Sequence, residues 1–449
     1  MKFLQVFGGR KSQAEVVLII ALSLLLSVAV QSEVRPDTQS DTKNSALSHA
    51  PPLAAINLRW ALQQTLAKNE ALTAYPFHRR RAEALKLQAD LRPIPTLDIS
   101  IENALGSGQY GGMDSAETTL TLSQTIEMGG KRIERMGLAD AGIRRQEVEY
   151  EITRLDVLAE SSRRYYQLLA VQERQAVVER NMKAQRRALT AITQRARAGA
   201  VGQADVSKMD LRLARSRAHQ QQLIAEQRLA RMRLAAMWQS RPRFQRATGE
   251  LISLPALPDP NRVLQSLAQS PALLNYLSLE RLHDARVSLA QASGRTDMRF
   301  GLGVKQLEAS NDQALMLSFS MPLAFSNPNR GRIKAALAER DLAAMQTDVA
   351  RRQLELQLLE IQQRLDSYRA QSENLQRQLI PKAQTLLADT ERGYQRGSYS
   401  VLELVDAQVE LVILEQALIS IHQNLYLQLL ELERITGQPF ALLTQGVAL

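Results

Sequence analysis

No proline interrupts the chain between Pro95 and Pro242. Within that window, Gly137 and Gly142 are the only weak points for a helix from Lys131 to Arg197. At about 1.5 Å per residue such a helix runs about 100 Å. That is longer than an ordinary globular domain is wide. Heptad-like steps mark it: Val148, Ile152, Leu155, Ala159, Ser162, Tyr166 and Leu169. A second long stretch carries Leu354, Leu358, Ile361, Leu365, Tyr368, Leu375 and Leu379, and its return carries Leu411, Leu414, Leu418, Ile421, Leu425 and Leu432. Steps of three and four form a seam for a neighbouring helix. One helical hairpin leaves much of that seam bare, so assembly with other hairpins is expected. Pro381, close before the second reversal, should kink or locally break its helix.

The chain repeats. Leu120-Thr-Leu-Ser-Gln-Thr-Ile has a counterpart in Leu317-Ser-Phe-Ser-Met-Pro-Leu, and Lys131-Arg132-Ile133 in Gly331-Arg332-Ile333. The turn around Arg197-Ala198-Gly199 recurs at Gln395-Arg396-Gly397. The three landmarks share one order and one offset of about 200 residues, the mark of an internal duplication. Each unit opens with two short helices: Ile56–Lys68 and Pro76–Leu91, against Pro260–Gln269 and Pro271–Ser293. Two strands, a long helix, a glycine-marked turn and a returning helix follow. The strands alternate. Leu97, Ile99 and Ile101 face away from Asp98, Ser100 and Glu102, and Met298, Phe300, Leu302 and Val304 from Arg299, Gly301, Gly303 and Lys305. In Leu315, Leu317 and Phe319 against Met316, Ser318 and Ser320 the alternation returns. Gly106–Asp114 and Glu308–Asp312 read as hairpin loops. The apolar face fits either a soluble core or lipid around a wet lumen, which Asp98 and Arg299 suit.

The resulting division is 1–32 as an export signal and 33–52 as a polar leader. The first repeat is 53–250, with a β-hairpin over 96–124 and a helical hairpin over 131–240. The second is 251–437, with hairpins over 297–322 and 329–437, and 438–449 is a tail. The signal rests on Lys2, Arg10 and Lys11 before the apolar run Val16 to Val30. That run is shorter than the roughly 20 residues a spanning helix needs.

The composition excludes several chemistries. There is no Cys, so disulfides, thiol nucleophiles, cysteine-ligated metals and the lipid-acceptor cysteine of a lipoprotein are all ruled out. His49, His78, His219, His283 and His422 are scattered, none with a second His three or four residues away. No metal site, cofactor, phosphate loop or nucleophile–base pair emerges, and no enzyme is expected. The net charge of +10 is spread along the chain and aromatics are 4%. Solvated helix faces are the better reading of that charge than a nucleic-acid footprint.

Three motifs carry a resemblance. They are Ser123-Gln124-Thr125-Ile126-Glu127-Met128-Gly129-Gly130-Lys131-Arg132, Gly393-Tyr394-Gln395-Arg396-Gly397 and Val401-Leu402-Glu403-Leu404-Val405-Asp406. With the duplication, they make the chain resemble the TolC-type outer-membrane efflux factors, with Glu-Met-Gly-Gly-Lys-Arg most like the cation-efflux, CzcC-like branch. The resemblance implies a mainly α fold with a membrane β-barrel. In a homotrimer, four strands per protomer would close a 12-stranded barrel above a long periplasmic helical cylinder. It implies a passive exit duct, most simply for divalent metal cations. An inner-membrane pump of the resistance-nodulation-division type and a periplasmic adaptor would supply it. Four strands are too few to close a membrane barrel alone, where about eight is the minimum. Adaptor hairpins would dock at the tips around Gly199, Gly202 and Gly397. Glu403 and Asp406 would line a closed periplasmic aperture, where three protomers would bring six carboxylates together and mutual repulsion would raise their own pKa values. Tyr394 and Asp205 would hydrogen-bond as a latch between the tips. Tyr399 stands where the family often has a basic gate residue. A multidrug or type I secretion channel of the same fold, or an envelope coiled-coil scaffold without a pore, would share much of this pattern.

Overall fold

The computed structural model describes residues 53–251, 256–323 and 325–439. The export signal, the leader and the tail beyond residue 439 lie outside the described residues.

The chain opens with β1 (Leu53–Ile56), α1 (Leu58–Lys68), the one-turn α2 (Glu70–Thr73) and α3 (Tyr75–Asp90). Strands β2 (Thr96–Glu102) and β3 (Glu117–Ile126) lead into α4 (Lys131–Arg197), and α5 (Gln203–Ala236) returns to β4 (Phe244–Ala247). The second half runs α6 (Pro260–Ser266), α7 (Pro271–Ala292), β5 (Met298–Leu307) and β6 (Asp312–Ser320). It then continues through α8 (Arg330–Asn374), α9 (Ile380–Arg396) and α10 (Val401–Thr436). Helix α4 is unbroken over 67 residues.

Two details differ from the sequence reading. Ile56 ends a strand rather than beginning a helix, because β1 pairs in parallel with β4, Ile56 opposite Ala247. Each strand has four residues, too short for an alternation to register. Pro381 is accommodated by a π turn over Leu375–Leu379, where the Ile380 N–H reaches back to the Leu375 carbonyl. The extra residue opens the ladder just before a ring that has no N–H and crowds the preceding turn.

The core lies midway along the helices. Tyr165, Tyr166, Leu168 and Leu169 of α4 meet Leu58 and Leu62 of α1, Leu358, Ile361 and Leu365 of α8, and Leu425, Leu429 and Leu432 of α10. The Tyr166 and Tyr426 rings stack at 4.5 Å, and Trp60 meets Trp238 edge-on at 5.6 Å. The Tyr165 hydroxyl donates to the Thr248 carbonyl, tying the β1–β4 ribbon to α4. Against the same core, His422 is fully buried and shares a 2.7 Å hydrogen bond with Ser372. Burial pushes its pKa down to about 4.

Strands β2, β3, β5 and β6 form one antiparallel sheet in that order. Its edges are therefore β2 and β6, one from each half of the chain.

Candidate functional site

The register sorts the sheet into two faces. Leu97, Leu122, Leu302 and Leu317 form one cross-strand row, and Ile99, Leu120, Val304 and Leu315 the next. Among the described residues nothing covers this face: Ile99 is 66% and Leu317 81% exposed. Phe300 and Phe319 pair across β5 and β6 on the same side, their centres 5.1 Å apart. Solvated leucine rows of this extent are unfavourable in water and suited to lipid.

The other face is polar. Asp98 sits opposite Thr121 and Gly303, and Ser123 donates to Asp98 at 3.2 Å. Lys305 pairs with Glu117. Glu102, Glu117 and Asp312 close the row farthest from the helices. With Asp98 they outnumber Arg299 and Lys305, so this face carries net negative charge.

Below the sheet, the Glu127-to-Arg132 motif forms the joint with the helices. Asp297, just before β5, accepts from the Met128 N–H at 3.0 Å and from Lys131 Nζ at 2.7 Å. Arg132 Nε donates to Asp90 at 2.9 Å, and Arg135 pairs with Glu127. Arg135 also donates to the Ala89 and Leu91 carbonyls at 3.3 and 3.0 Å. One short motif thus holds the chain entering β2 and the chain entering β5 to the first turns of α4.

At the far end, the two helical hairpins reverse. Gly199 and Gly397 adopt φ of 74° and 79°, the left-handed conformation that costs an L-residue about 1 kcal/mol or more. Gly202 has φ of −77° and caps α5 in extended geometry. Gly393 is required for a different reason, since a Cβ there would lie 2.0 Å from the Tyr399 ring. Tyr399 therefore packs on its own turn. The Gly393 carbonyl accepts from the Ser398 N–H at 2.8 Å and the Tyr399 N–H at 3.3 Å.

The expected Asp205–Tyr394 hydrogen bond is not formed within the chain. The Tyr394 hydroxyl is buried and has no hydrogen-bond partner among the described residues. Its ring is instead capped by the Arg195 guanidinium at 4.3 Å, and Arg195 Nη2 donates to the Tyr394 carbonyl at 3.1 Å. Asp205 lies in the first turn of α5, its N–H bonded to the Gly202 carbonyl at 3.1 Å. The physical reason is placement: the tyrosine ring turns inward against α4, and α4 supplies the cation.

Glu403 and Asp406 are both exposed at the start of α10. Glu403 closes a capping box, accepting from the Ser400 N–H at 2.6 Å and its hydroxyl at 2.8 Å. Those bonds, the backbone one first, hold its carboxyl below the ordinary range within one chain. Asp406 accepts from Arg212 Nη2 of α5 at 3.0 Å. Between the two acids, Val405 is buried with Ala188, Ile192 and Met209. Arg195 and Arg212 are the residues that sequence reasoning missed. Both lie in arginine-rich helices, where nothing local distinguishes them.

Among the described residues, no group of three or more His, Asp or Glu is placed to hold a metal ion. No helix of the described residues is long and apolar enough to cross a membrane, a statement that leaves the sheet aside.

The family model for outer membrane efflux proteins matches residues 61–239 and 265–438. The chain is 25% identical over 421 residues to the cobalt-zinc-cadmium resistance protein CzcC of Cupriavidus metallidurans, spanning 93% of this chain and 99% of that protein. Among solved structures, the outer-membrane channel OprN superposes with a TM-score of 0.70 at 22% identity, covering 91% of this chain and 99% of that one. The outer membrane protein VceC of Vibrio cholerae gives 0.70 at 18%, covering 85% and 96%. The fold is thus the TolC-like one, and the bare leucine rows have their explanation in lipid. The family is one of efflux ducts rather than enzymes, and its members work with an adaptor and an inner-membrane pump. The chain belongs to the outer membrane efflux protein family, as an outer-membrane exit duct with a periplasmic helical domain.

Proposed function

We propose that three copies close into a 12-stranded barrel over a helical tunnel, and that the duct passes divalent metal cations. The observation that carries the assembly is the sheet itself. Among the described residues it ends in two unpaired edges, β2 and β6, and an unpaired edge in lipid leaves backbone groups without partners. Pairing β6 of one copy with β2 of the next removes every edge. Exposed Leu342, Met345, Leu356 and Leu359 give α8 a second seam for a neighbouring helix. The two halves, 53–250 and 251–437, are read as copies of one unit, supported by the same order of hairpin, long helix and return in each.

The cation reading is supported by the name and extent of the CzcC relative and by the acidic excess on the polar face of the sheet. A duct of this kind conducts passively and needs only weak attraction, since tight binding slows release. Glu403 and Asp406 are the proposed aperture carboxylates. The turns at Gly199, Gly202 and Gly397 are the proposed docking points for adaptor hairpins, with Asp205 beside the first of them. A pump of the resistance-nodulation-division type is the proposed energy source.

The test is tolerance in a strain lacking the gene. Restored growth on cobalt, zinc or cadmium, with no change in drug tolerance, supports the cation duct. Restored drug tolerance alone moves the substrate to organic molecules within the same fold.

A further inference from the structure

Arg212 is a base that none of the recognisable motifs contains, yet it sits on one of the proposed aperture acids. It comes from α5 and Asp406 from α10, 194 residues apart. The contact is not a chance meeting of long side chains. Met209, one turn before Arg212, and Val405, the neighbour of Asp406, are each 1% exposed in a single cluster with Ile192. Ile192 and Ala188 of α4 complete that cluster, so α5 and α10 are both held on α4 there and the ion pair lies at its rim. There the Arg212 side chain is 29% exposed and that of Asp406 62%. Glu403 is differently engaged, since its carboxylate closes the turn that begins α10. The two acids are therefore unequal. One serves its own helix, and the other is neutralised by a different helix.

We propose that Arg212 is a specificity-determining residue of the entrance, screening Asp406 while α5 and α10 are held together across the tip of α4 and unmasking it when they part. The inference rests on the duct reading and deepens it. An opposite charge in contact cancels most of the field a carboxylate projects into water. Once the two groups are farther apart than the screening length of about 8 Å, the carboxylate acts alone. Any motion that separates the hairpins thus turns a ring that carries only the Glu403 charges into one that carries those of Asp406 as well. Opening and cation preference become one event.

The experiment uses the full chain reconstituted in planar bilayers, with the reversal potential read in a potassium chloride gradient and lanthanum added as a trivalent probe. Arg212→Gln is expected to raise the cation-to-anion permeability ratio of the low-conductance state about twofold or more. Lanthanum block should then need a lower concentration. Arg212→Lys keeps the charge and retains the wild-type ratio. The double variant Arg212→Gln with Asp406→Asn, which carries neither charge, returns the ratio to the wild-type value. The swap of Arg212→Asp with Asp406→Arg restores the wild-type ratio and serves as the second variant if Arg212→Gln does not assemble. A conducting Arg212→Gln channel with an unchanged ratio, a double Arg212→Gln and Asp406→Asn variant that keeps the raised ratio, or a swap that assembles without restoring the ratio overturns the proposal. Absence of any channel from the wild-type chain overturns the duct reading itself.

Discussion

The guanidinium of Arg195 lies 4.3 Å from the centre of the Tyr394 ring and donates to the Tyr394 carbonyl at 3.1 Å. The two residues belong to α4 and α9, so this contact joins the first helical hairpin to the second at their tips. The tyrosine hydroxyl takes no part in it.

That division of labour makes a sharp prediction. Arg195→Ala removes a charged hydrogen bond and a cation–π contact, together worth about 1–2 kcal/mol at a half-buried site. The tips should loosen, read as faster amide exchange at Ser398 and Tyr399 and a higher resting conductance. Tyr394→Phe keeps the ring and the carbonyl and should change both far less. A larger effect from Tyr394→Phe would return the latch to the hydroxyl and Asp205.

His422 makes the helical wall sensitive to acid. Its ordinary pKa of 6.5 falls to about 4 in the fold because burial disfavours the charged ring. Between those values the unfolded chain binds a proton that the folded chain does not. Stability is then full above the ordinary value and declines as pH falls towards 4, by about 3 kcal/mol at most. His422→Gln keeps a partner for Ser372 and should flatten that dependence. Urea midpoints of the detergent-solubilised protein at pH 7 and pH 5 measure it. Equal slopes in wild type and variant would remove His422 as the source.

The two faces of the sheet should respond oppositely to charge. Leu317 is 81% exposed in the isolated chain. Leu317→Arg on the lipid face should cost about 2–4 kcal/mol near mid-membrane. Ser318→Arg, one residue along and pointing to the lumen, should fold and shift ion selectivity towards anions. The heat-modifiable fraction in lipid vesicles reports folding. Equal losses for the two variants would contradict the assignment of faces.

Much of this architecture is legible in the sequence because its signals are long. The proline-free window yields α4, and alternation yields the strands and both faces. Pro381 marks the interruption, although the π turn that accommodates it depends on hydrogen-bond geometry that no residue type encodes. The β1–β4 ribbon was missed because its pairing joins four-residue segments about 190 residues apart, below the length at which a period shows. Gly393 stood inside a quoted motif, but its role depends on Tyr399 folding back over it. The glycine-to-arginine motif at residues 129–132 pointed to a family, and its physical work, clamping Asp90 and Asp297, emerged only from the fold. Arg195 and Arg212 were illegible for the same reason. Their partners lie in the other half of the chain, on helices whose rotation the heptad pattern alone leaves open.

The account stands or falls on closure of the sheet. The direct measurement is the mass of the protein extracted from the outer membrane in mild detergent, by light scattering corrected for bound detergent. Migration on unheated and heated gels should accompany it. The account predicts a trimer in the outer-membrane fraction that migrates as a compact species until heated. A monomer or dimer, absent from that fraction and unchanged by heating, would contradict the barrel, the shared tunnel and the aperture together.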